Sequence, residues 1–352
     1  MISTLASRLL GFLRIGIISA LFGAGGQADV LNLVFNIPNN LRKLLAEGAL
    51  STAFIPVLSR NLVEDPSKNQ SKTIVKNLLA FQLLVLLPIL ILAAIFPSAF
   101  VSLLLNFQDP EKHRLAAELF RYIIHYILFI SFSAVLMGTL NSNERFVVPA
   151  LTPLLFSISV ISSLLLFHTQ LGIFAMAVGV LVGGMAQVLV QLPEFFKQGY
   201  SFGFNFSFNN PRFREILRNW GPVLATSGVF AINQQIAARF ASEMETGSGS
   251  AMSYAIVFWQ LPFGIFSASI ITVLFPRLSK QIASGDRAAT SRTVEFGIAG
   301  LMTFLIPSSL GLMMLGNELI SAALQRGPLP WKIPVWQPRC CSGILRDCCL
   351  WG

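Results

Sequence analysis

Charge is scarce in this 352-residue chain. Only 12% of the residues are charged, against about 25% in a soluble domain, whereas 54% are hydrophobic and the mean hydropathy is +0.68. So little charge excludes an ordinary soluble globular protein, and repeated long apolar runs indicate an integral membrane protein. The net charge of +9 is then explained by loop residues that set the membrane topology, and we expect no nucleic-acid partner.

Residues that carry enzyme chemistry are also scarce. Cysteine is absent from the first 339 residues, and none of the three histidines has a carboxylate or cysteine at catalytic or metal-ligand spacing. The motifs G-x-S-x-G, H-E-x-x-H and G-x-x-x-x-G-K-[ST] do not occur. We therefore expect no catalytic residue, no metal, no cofactor and no ATP-hydrolysing site. A cleavable signal peptide is not expected either, because no small-residue cleavage site follows the first apolar segment.

Nine apolar segments approach the roughly 20 residues that a helix needs to cross a bilayer. The third contains Pro88 and Pro97, which membrane helices tolerate because neighbouring helices satisfy the freed carbonyl groups. The stretch "GVLVGG" (179–184) has the small-residue spacing that allows close helix packing. The nine predicted spans are approximately 3–22, 27–47, 76–105, 116–140, 147–167, 171–194, 215–241, 250–275 and 293–316.

Lysine and arginine are distributed unequally between alternate connections. Thirteen of them lie in one set of connections, and only Lys112 and Arg114 lie in the other. Positively charged connections remain in the cytoplasm. The pattern therefore predicts a multi-pass protein with a cytoplasmic N-terminus. The rich connections are 48–76, 141–146, 195–218 and 276–292.

Six charged residues lie in or beside the first two predicted spans. A charge at the centre of a membrane helix costs about 2.5–3.5 kcal/mol on insertion scales, so these side chains are expected to face one another or a water-filled cavity instead of lipid. They are Arg8, Arg14, Asp29, Arg42, Lys43 and Glu47.

These charges admit two interpretations. Arg8, Lys43 and Glu47 can be side chains that snorkel from helix ends, and Lys43 and Glu47 can neutralise each other at i, i+4 spacing. Arg14 has no such local partner. As a set the six are cationic, and a cationic cavity suits an anionic substrate because the planar arginine fork matches phosphate oxygens. We therefore predict that the six residues form a substrate-binding and transport site.

Five segments carry a recognisable pattern: "SRLLGFLR" (7–14), "FGAGGQAD" (22–29), "PNNLRKLLAEGALSTAFIPVL" (38–58), "LNSNERFVVPALTPLLFSIS" (140–159) and "LFPRLSKQIASGD" (274–286). They resemble the MurJ/MviN family of bacterial lipid II flippases, within the multidrug/oligosaccharidyl-lipid/polysaccharide exporter superfamily. The resemblance runs from about residue 3 to 327 and is most specific in the first 60 residues. The family's charged positions fall on the same six residues: first-helix arginines on Arg8 and Arg14, second-helix aspartate on Asp29, and the basic pair and following glutamate on Arg42, Lys43 and Glu47.

The resemblance implies a fold, an activity and a location. The fold would be an all-α polytopic membrane protein, a two-lobe helical bundle around a central cationic cavity, of which this chain holds about nine of an expected fourteen membrane helices. Such a protein flips lipid II, the undecaprenyl-pyrophosphate-linked peptidoglycan precursor, from the cytoplasmic to the periplasmic leaflet by alternating access. It would lie in the bacterial cytoplasmic (inner) membrane and serve cell wall biogenesis and cell shape. Expected partners are lipid II, membrane lipids and cell-wall synthesis proteins.

Two departures from the family pattern affect the second lobe. Many members have an arginine in helix eight where this chain has Val257. The side of the cavity formed by the second lobe is therefore expected to be less cationic. Arg239 is either a substitute for that arginine or a residue at the outer interface of the membrane. The other departure is the Cys- and Trp-rich end of the chain, for which we expect a frameshifted tail. The predicted organisation is an N-terminal lobe at 1–200 (membrane helices 1–6), a partial C-terminal lobe at 201–327 (helices 7–9) and an aberrant tail at 328–352.

The sequence is also compatible with other functions. The chain could export another polyprenyl-linked glycan, and an early end would make it a truncated, non-functional remnant. A drug exporter would favour acidic cavity residues, whereas these are basic. A membrane-embedded transferase would need a catalytic constellation, and Asp29 and Glu47, the acids of the first two spans, have no partner suited to catalysis.

Overall fold

The computed structural model describes residues 2–324 apart from 24, 43–48 and 66. Within these residues the chain is helical and contains no strand, which confirms the predicted all-α class. The predicted tail at 328–352 lies outside the described residues. The helices are α1 (Ile2–Phe22), α2 (Gly26–Arg42), α3 (Ala49–Glu64), α4 (Asn69–Ile95), α5 (Pro97–Leu104), α6 (Pro110–Ile123), α7 (Tyr126–Ser142), α8 (Val147–Leu171), α9 (Phe174–Lys197), α10 (Pro211–Glu243), α11 (Ser248–Pro262), the π-helical turn Phe263–Ser267, α12 (Ala268–Ala283) and α13 (Arg287–Leu324).

The chain divides into two compact units. The first ends at Gly249 and contains α1 to α10, and the second begins at Ser250. In the first unit α2 is the central helix, because Val30, Leu31 and Leu33 are completely buried and the helix packs against α6, α7 and α10. In the second unit α12 packs against α13.

Six stretches of the described chain are helical, long and apolar enough to cross a membrane, which confirms a multi-pass membrane protein. α1 contributes a shorter apolar helix at Leu9–Phe22. The six stretches are Asn69–Ile95, Pro110–Ser142, Val147–Leu171, Phe174–Lys197, Ser248–Phe275 and Arg287–Gly316.

Side chains exposed on the first of these stretches explain why it needs lipid. α4 leaves Leu84, Leu87 and Ile91 between 43% and 54% exposed. Removing apolar surface from water is worth about 25 cal/mol per Å², so a row of exposed leucine and isoleucine side chains would be costly in water. The same row is stable against hydrocarbon.

Two predicted spans are interrupted. The span predicted at 76–105 breaks at Phe96, because Pro97 starts α5 and the residue before a proline is disfavoured in the α conformation. The span predicted at 116–140 divides into α6 and α7, with a break at Ile124 and His125. The second break was not predicted, since neither Ile124 nor His125 opposes helix formation strongly.

The predicted connection 48–76 contains a helix that the hydropathy pattern missed. α3 buries Phe54 and Leu58 completely and packs against α7 and α10. Its apolar face is covered by protein, and its remaining positions include polar and charged residues such as Arg60 and Glu64. A search for continuous apolar segments therefore passes over it.

Helices α8 and α9 approach closely through glycine. A Cβ atom on Gly179 would lie 2.8 Å from Val160 Cα and 2.9 Å from Ser163 Cβ, and one on Gly183 would lie 3.1 Å from Phe156 Cδ2. Only glycine fits at this separation, which confirms the close helix contact predicted from "GVLVGG". The approach also allows Ser163 Oγ to donate a hydrogen bond of 2.6 Å to the Ala175 carbonyl oxygen.

Within the first unit, some connections that the charge pattern assigns to the same group are joined by hydrogen bonds. In the basic group, Lys68 Nζ donates to Asn143 Oδ1 at 2.8 Å and to the Gln198 carbonyl oxygen at 3.3 Å, which joins the connections after α3, α7 and α9. In the other group, Lys112 Nζ donates to Thr246 Oγ1 at 2.6 Å, which joins the connections before α6 and after α10.

The close approach at Gly179 predicts the effect of adding one methyl group. In Gly179→Ala the new Cβ meets backbone that cannot rotate away, and overpacking of this kind costs about 1–3 kcal/mol. The melting temperature of the detergent-solubilised protein, followed by tryptophan fluorescence, should fall.

The matched control is Gly228→Ala in α10, where no atom lies within 4 Å of the new Cβ. Alanine is a better helix former than glycine by up to about 1 kcal/mol, so this variant should melt at the wild-type temperature or slightly above it. Equal melting of the two variants would contradict the packing described for α8 and α9.

Candidate functional site

Arg14 lies near the middle of α1 and its guanidinium group contacts two aromatic rings. Its Cζ atom is 5.2 Å from the centroid of the Phe35 ring on α2 and 5.6 Å from that of Phe156 on α8. A cation within about 6 Å of an aromatic centroid is attracted by the negative face of the ring. These contacts give the charge a favourable place in an otherwise apolar region.

The rings around Arg14 form an aromatic cradle, made of Phe35, Tyr126 and Phe156. The Phe35 and Phe156 rings stack at 6.3 Å with an interplanar angle of 16°, and Tyr126 lies 5.1 Å from Phe156. Glycine again provides the space, because a Cβ on Gly184 of α9 would lie 2.8 Å from Tyr126 Cδ2. Sequence reasoning missed the cradle, since nothing distinguishes its rings among 30 phenylalanines.

The charge of Arg14 is not neutralised by an acid in the part of the chain that the structure describes. Its Nε atom is buried and has no hydrogen-bond partner there. The groups that act on it electrostatically are Arg42, which has the same sign, and Tyr126. Two arginines within electrostatic range of each other, one of them with an unused donor, provide a favourable position for an anion.

Arg42 is the last residue of α2 and is half-buried. Its Nε donates to Asn39 Oδ1 at 3.3 Å. A cation in the last turn also interacts favourably with the helix dipole, so part of its role is structural. Lys43 and Glu47 lie outside the described residues, and so does the side chain of Arg8.

Asp29 occupies the opposite end of α2. Its side chain is only 4% exposed, and its Oδ2 atom accepts a hydrogen bond of 2.6 Å from the backbone N–H of Gly247. Gly247 has a φ of 104°, a conformation that favours glycine. The carboxylate therefore holds the turn that follows α10 against the start of α2. Since Arg42 comes thirteen positions later, the two ends of the helix are separated by about 20 Å.

Arg239 lies on α10 and Val257 on α11. Arg239 Nη1 donates to the carbonyl oxygens of Ser102, at 3.1 Å, and of Leu103, at the C-terminal end of α5. This contact supports the outer-interface interpretation of Arg239. Val257 is a half-buried residue of α11.

The family model described as "Lipid II flippase MurJ" matches residues 18–330. A "Probable lipid II flippase MurJ" of Borreliella burgdorferi is 32% identical over 352 residues, covering 100% of this chain and 68% of the relative. Another, of Vibrio cholerae, is 32% identical over 338 residues, covering 92% of this chain and 64% of the relative. The chain thus spans about two thirds of the length of these relatives.

Solved structures agree with the sequence relatives. A lipid II flippase MurJ in an inward closed conformation superposes with a TM-score of 0.82 at 28% identity, covering 98% of this chain and 70% of that protein. An inward-facing multidrug resistance transporter of the MATE family and MOP superfamily has a TM-score of 0.72 at 15% identity, covering 96% and 76%, and shows a shared fold alone. The chain belongs to the MurJ family of lipid II flippases, which is a family of transporters.

Proposed function

We propose that this chain moves lipid II from the cytoplasmic to the periplasmic leaflet by alternating access, and so supplies the precursor for cell wall synthesis. Family membership supports the proposal. The single observation that carries it is Arg14, a cation inside an apolar helix that is held by aromatic faces and pairs with no carboxylate among the described residues.

The cradle leaves the donors of Arg14 available to a ligand. A guanidinium group has five N–H donors in its plane, whereas the ring contacts of a cation–π pair use its charge and its face. The N–H groups at the edge of the Arg14 guanidinium can therefore bind phosphate oxygens in the bidentate manner typical of arginine. We assign the pyrophosphate of lipid II to Arg14 and Arg42. Arg8, Lys43 and Glu47 are proposed to complete the same site.

Asp29 has a different proposed role, in closing one end of the transport path. Its carboxylate fastens the 244–247 turn to the start of α2. A hydrogen bond to a charged group contributes about 1.5–3 kcal/mol, which is enough to favour a closed state and small enough to be reversed during transport. Release of this turn would accompany opening on the side of the acid-rich connection.

The remaining assignments concern the membrane location, the orientation, the lobes and the partners of the chain. We propose the inner membrane and a cytoplasmic N-terminus, supported by the excess of Lys and Arg on one group of connections. Membrane helices 1–6, in residues 1–200, are assigned to the N-terminal lobe, and residues 201–327 to part of the second. Cell-wall synthesis proteins are the proposed protein partners.

Substrate binding should depend on Arg14. In Arg14→Gln the charge is lost, and the affinity of the purified chain for lipid II should fall by about 10- to 100-fold, as expected for a charge-assisted hydrogen bond of about 1.5–3 kcal/mol. Phe156→Leu removes one face of the cradle and should weaken binding severalfold, since a cation–π contact is worth about 0.5–2 kcal/mol. Native mass spectrometry with added lipid II measures both.

The control is Arg114→Gln, which removes an exposed arginine paired with Glu118 at 3.5 Å and should bind lipid II like the wild type. If Arg14→Gln were well folded and bound lipid II normally, the proposed site would be wrong. Equal affinity of the wild type for an undecaprenyl pyrophosphate carrying another glycan would favour a different cargo.

Asp29 should control the dynamics of the 244–247 turn. Asp29→Ala removes the acceptor for the Gly247 amide, so hydrogen exchange of that amide should accelerate by about tenfold or more. Asp29→Asn retains an oxygen acceptor without the charge and should show a smaller increase. Hydrogen–deuterium exchange with mass spectrometry checks this, and unchanged exchange in Asp29→Ala would argue against the closure role.

Membrane orientation can be tested with single cysteines, after the four native cysteines are changed to serine. A membrane-impermeant maleimide added to intact cells should label Glu245→Cys and should label Ser67→Cys only after permeabilisation of the inner membrane. Both residues lie in connections. The reverse labelling pattern would show the opposite orientation.

A further inference from the structure

The connection between α9 and α10 contains a pattern that the transport proposal does not use. Residues 201–210 read "SFGFNFSFNN", in which phenylalanine occupies every second position. Alternate side chains of an extended chain point to the same side. Phe202 and Phe204 both contact Phe132 of α7, with ring centroids 5.8 and 6.0 Å apart. We call residues 201–209 the phenylalanine segment.

Hydrogen bonds attach the phenylalanine segment to the early turns of α4. Asn77 Nδ2 donates to the Ser207 carbonyl oxygen at 2.8 Å. The backbone N–H of Asn205 donates to the Lys76 carbonyl oxygen at 3.3 Å. Four residues later, Phe81 packs edge-on against Phe208 at 6.4 Å. The segment is therefore a fixed part of the fold.

This attachment places the segment where headgroups meet hydrocarbon. Lys76 is the last charged residue of α4, and the helix is then uncharged to its end. Trp220 of α10 packs edge-on against Phe81 at 6.1 Å, and tryptophan is enriched at membrane interfaces. Phe206 is nevertheless 57% exposed, an exposure that suits contact with the first carbons of lipid chains better than contact with water.

A cleft of about 520 Å³ lies between the end of the phenylalanine segment (206–209) and the first turns of α10, where Phe213, Arg214 and Leu217 line it. Its volume is within the range of about 300–1,000 Å³ for small-molecule sites. Aromatic rings form one part of the wall and polar groups form the other. A cleft of this composition suits a ligand with an apolar part and a charged part.

Arg214 supplies the charge of the cleft. Its Nη2 atom donates to Asn209 Oδ1 at 2.7 Å, which orients the guanidinium group. Its neighbour Arg212 forms ion pairs with Glu64 and Glu215, but no carboxylate in the described part of the chain pairs with Arg214. The N-terminal end of α10, which begins one turn earlier, adds a partial positive charge.

We propose that this cleft binds the headgroup of an anionic glycerophospholipid from the leaflet on the basic face of the protein. The phosphate binds Arg214, and the first acyl carbons lie against Phe206. The charge selects an anionic headgroup, and the exposed ring at the hydrocarbon boundary favours a lipid over a soluble anion. The site is separate from Arg14 and its cradle, so it does not depend on the proposed transport function. A lipid bound here holds the start of α10 at the membrane surface.

Lipid selectivity tests the proposal. The full chain in detergent is titrated with dioleoylphosphatidylglycerol or dioleoylphosphatidylcholine, and bound lipids are counted by native mass spectrometry. The wild type should retain one phosphatidylglycerol in preference to phosphatidylcholine. Arg214→Gln should weaken this binding by about tenfold or more, because a charge-assisted contact is lost. Arg214→Lys should retain most of it, and Arg114→Gln, on the other group of connections, should bind like the wild type.

Variants of Phe206 test the apolar part of the cleft. Phe206→Ser should weaken phosphatidylglycerol binding severalfold, whereas Phe206→Leu should preserve it; this pair decides the question if Arg214→Gln proves poorly folded by gel filtration. Three results would each overturn the proposal: unchanged binding in a well-folded Arg214→Gln, equal retention of the two lipids by the wild type, or displacement of the lipid by an equal concentration of soluble glycerol phosphate, which would identify a free-anion site.

Discussion

The positive charge of Arg14 in the middle of an apolar helix is the constraint around which the first unit is organised. Hydrocarbon cannot solvate a guanidinium group, and the described structure supplies no carboxylate for it. The aromatic cradle takes that role, with rings from α2, α7 and α8. The cradle in turn requires glycine at 183 and 184, because larger residues would meet Phe156 and Tyr126. Helix packing and the proposed ligand site thus depend on the same few contacts.

Helix α2 connects the surroundings of Arg14 to Asp29 at one end and Arg42 at the other. The helix is 17 residues long, or about 25 Å, close to the thickness of the hydrocarbon core. Asp29 at its start holds the turn after α10, Phe35 at its middle supports Arg14, and Arg42 ends it. Because α2 is buried among its neighbours, a movement at one end of the helix cannot easily be accommodated by local rearrangement. This rigidity is a physical basis for linking the proposed closure at Asp29 to the proposed anion site at Arg14 and Arg42.

Hydropathy predicted most of the spans and failed where protein, and not lipid, surrounds a helix. α3 was missed because its apolar face is covered by α7 and α10, so its sequence is amphipathic instead of continuously apolar. The break at Phe96 could have been read from Pro97, whereas the one at Ile124 and His125 has no comparable signal. The charge asymmetry agrees with contacts of the first unit, since Lys68 joins connections of the basic group and Lys112 joins connections of the other group.

The sequence by itself determined the membrane class, the helical fold and the charged residues of the candidate site, because each depends on composition or on neighbours along the chain. It selected Arg14, Asp29 and Arg42 through the cost of charge in lipid. The tertiary structure alone decided their partners. It joined Asp29 to the Gly247 amide, supplied the cradle from three helices, and assembled a basic cleft beside the phenylalanine segment. These contacts join residues far apart in the chain, and no local pattern specifies which aromatic ring or backbone amide will face a given charge.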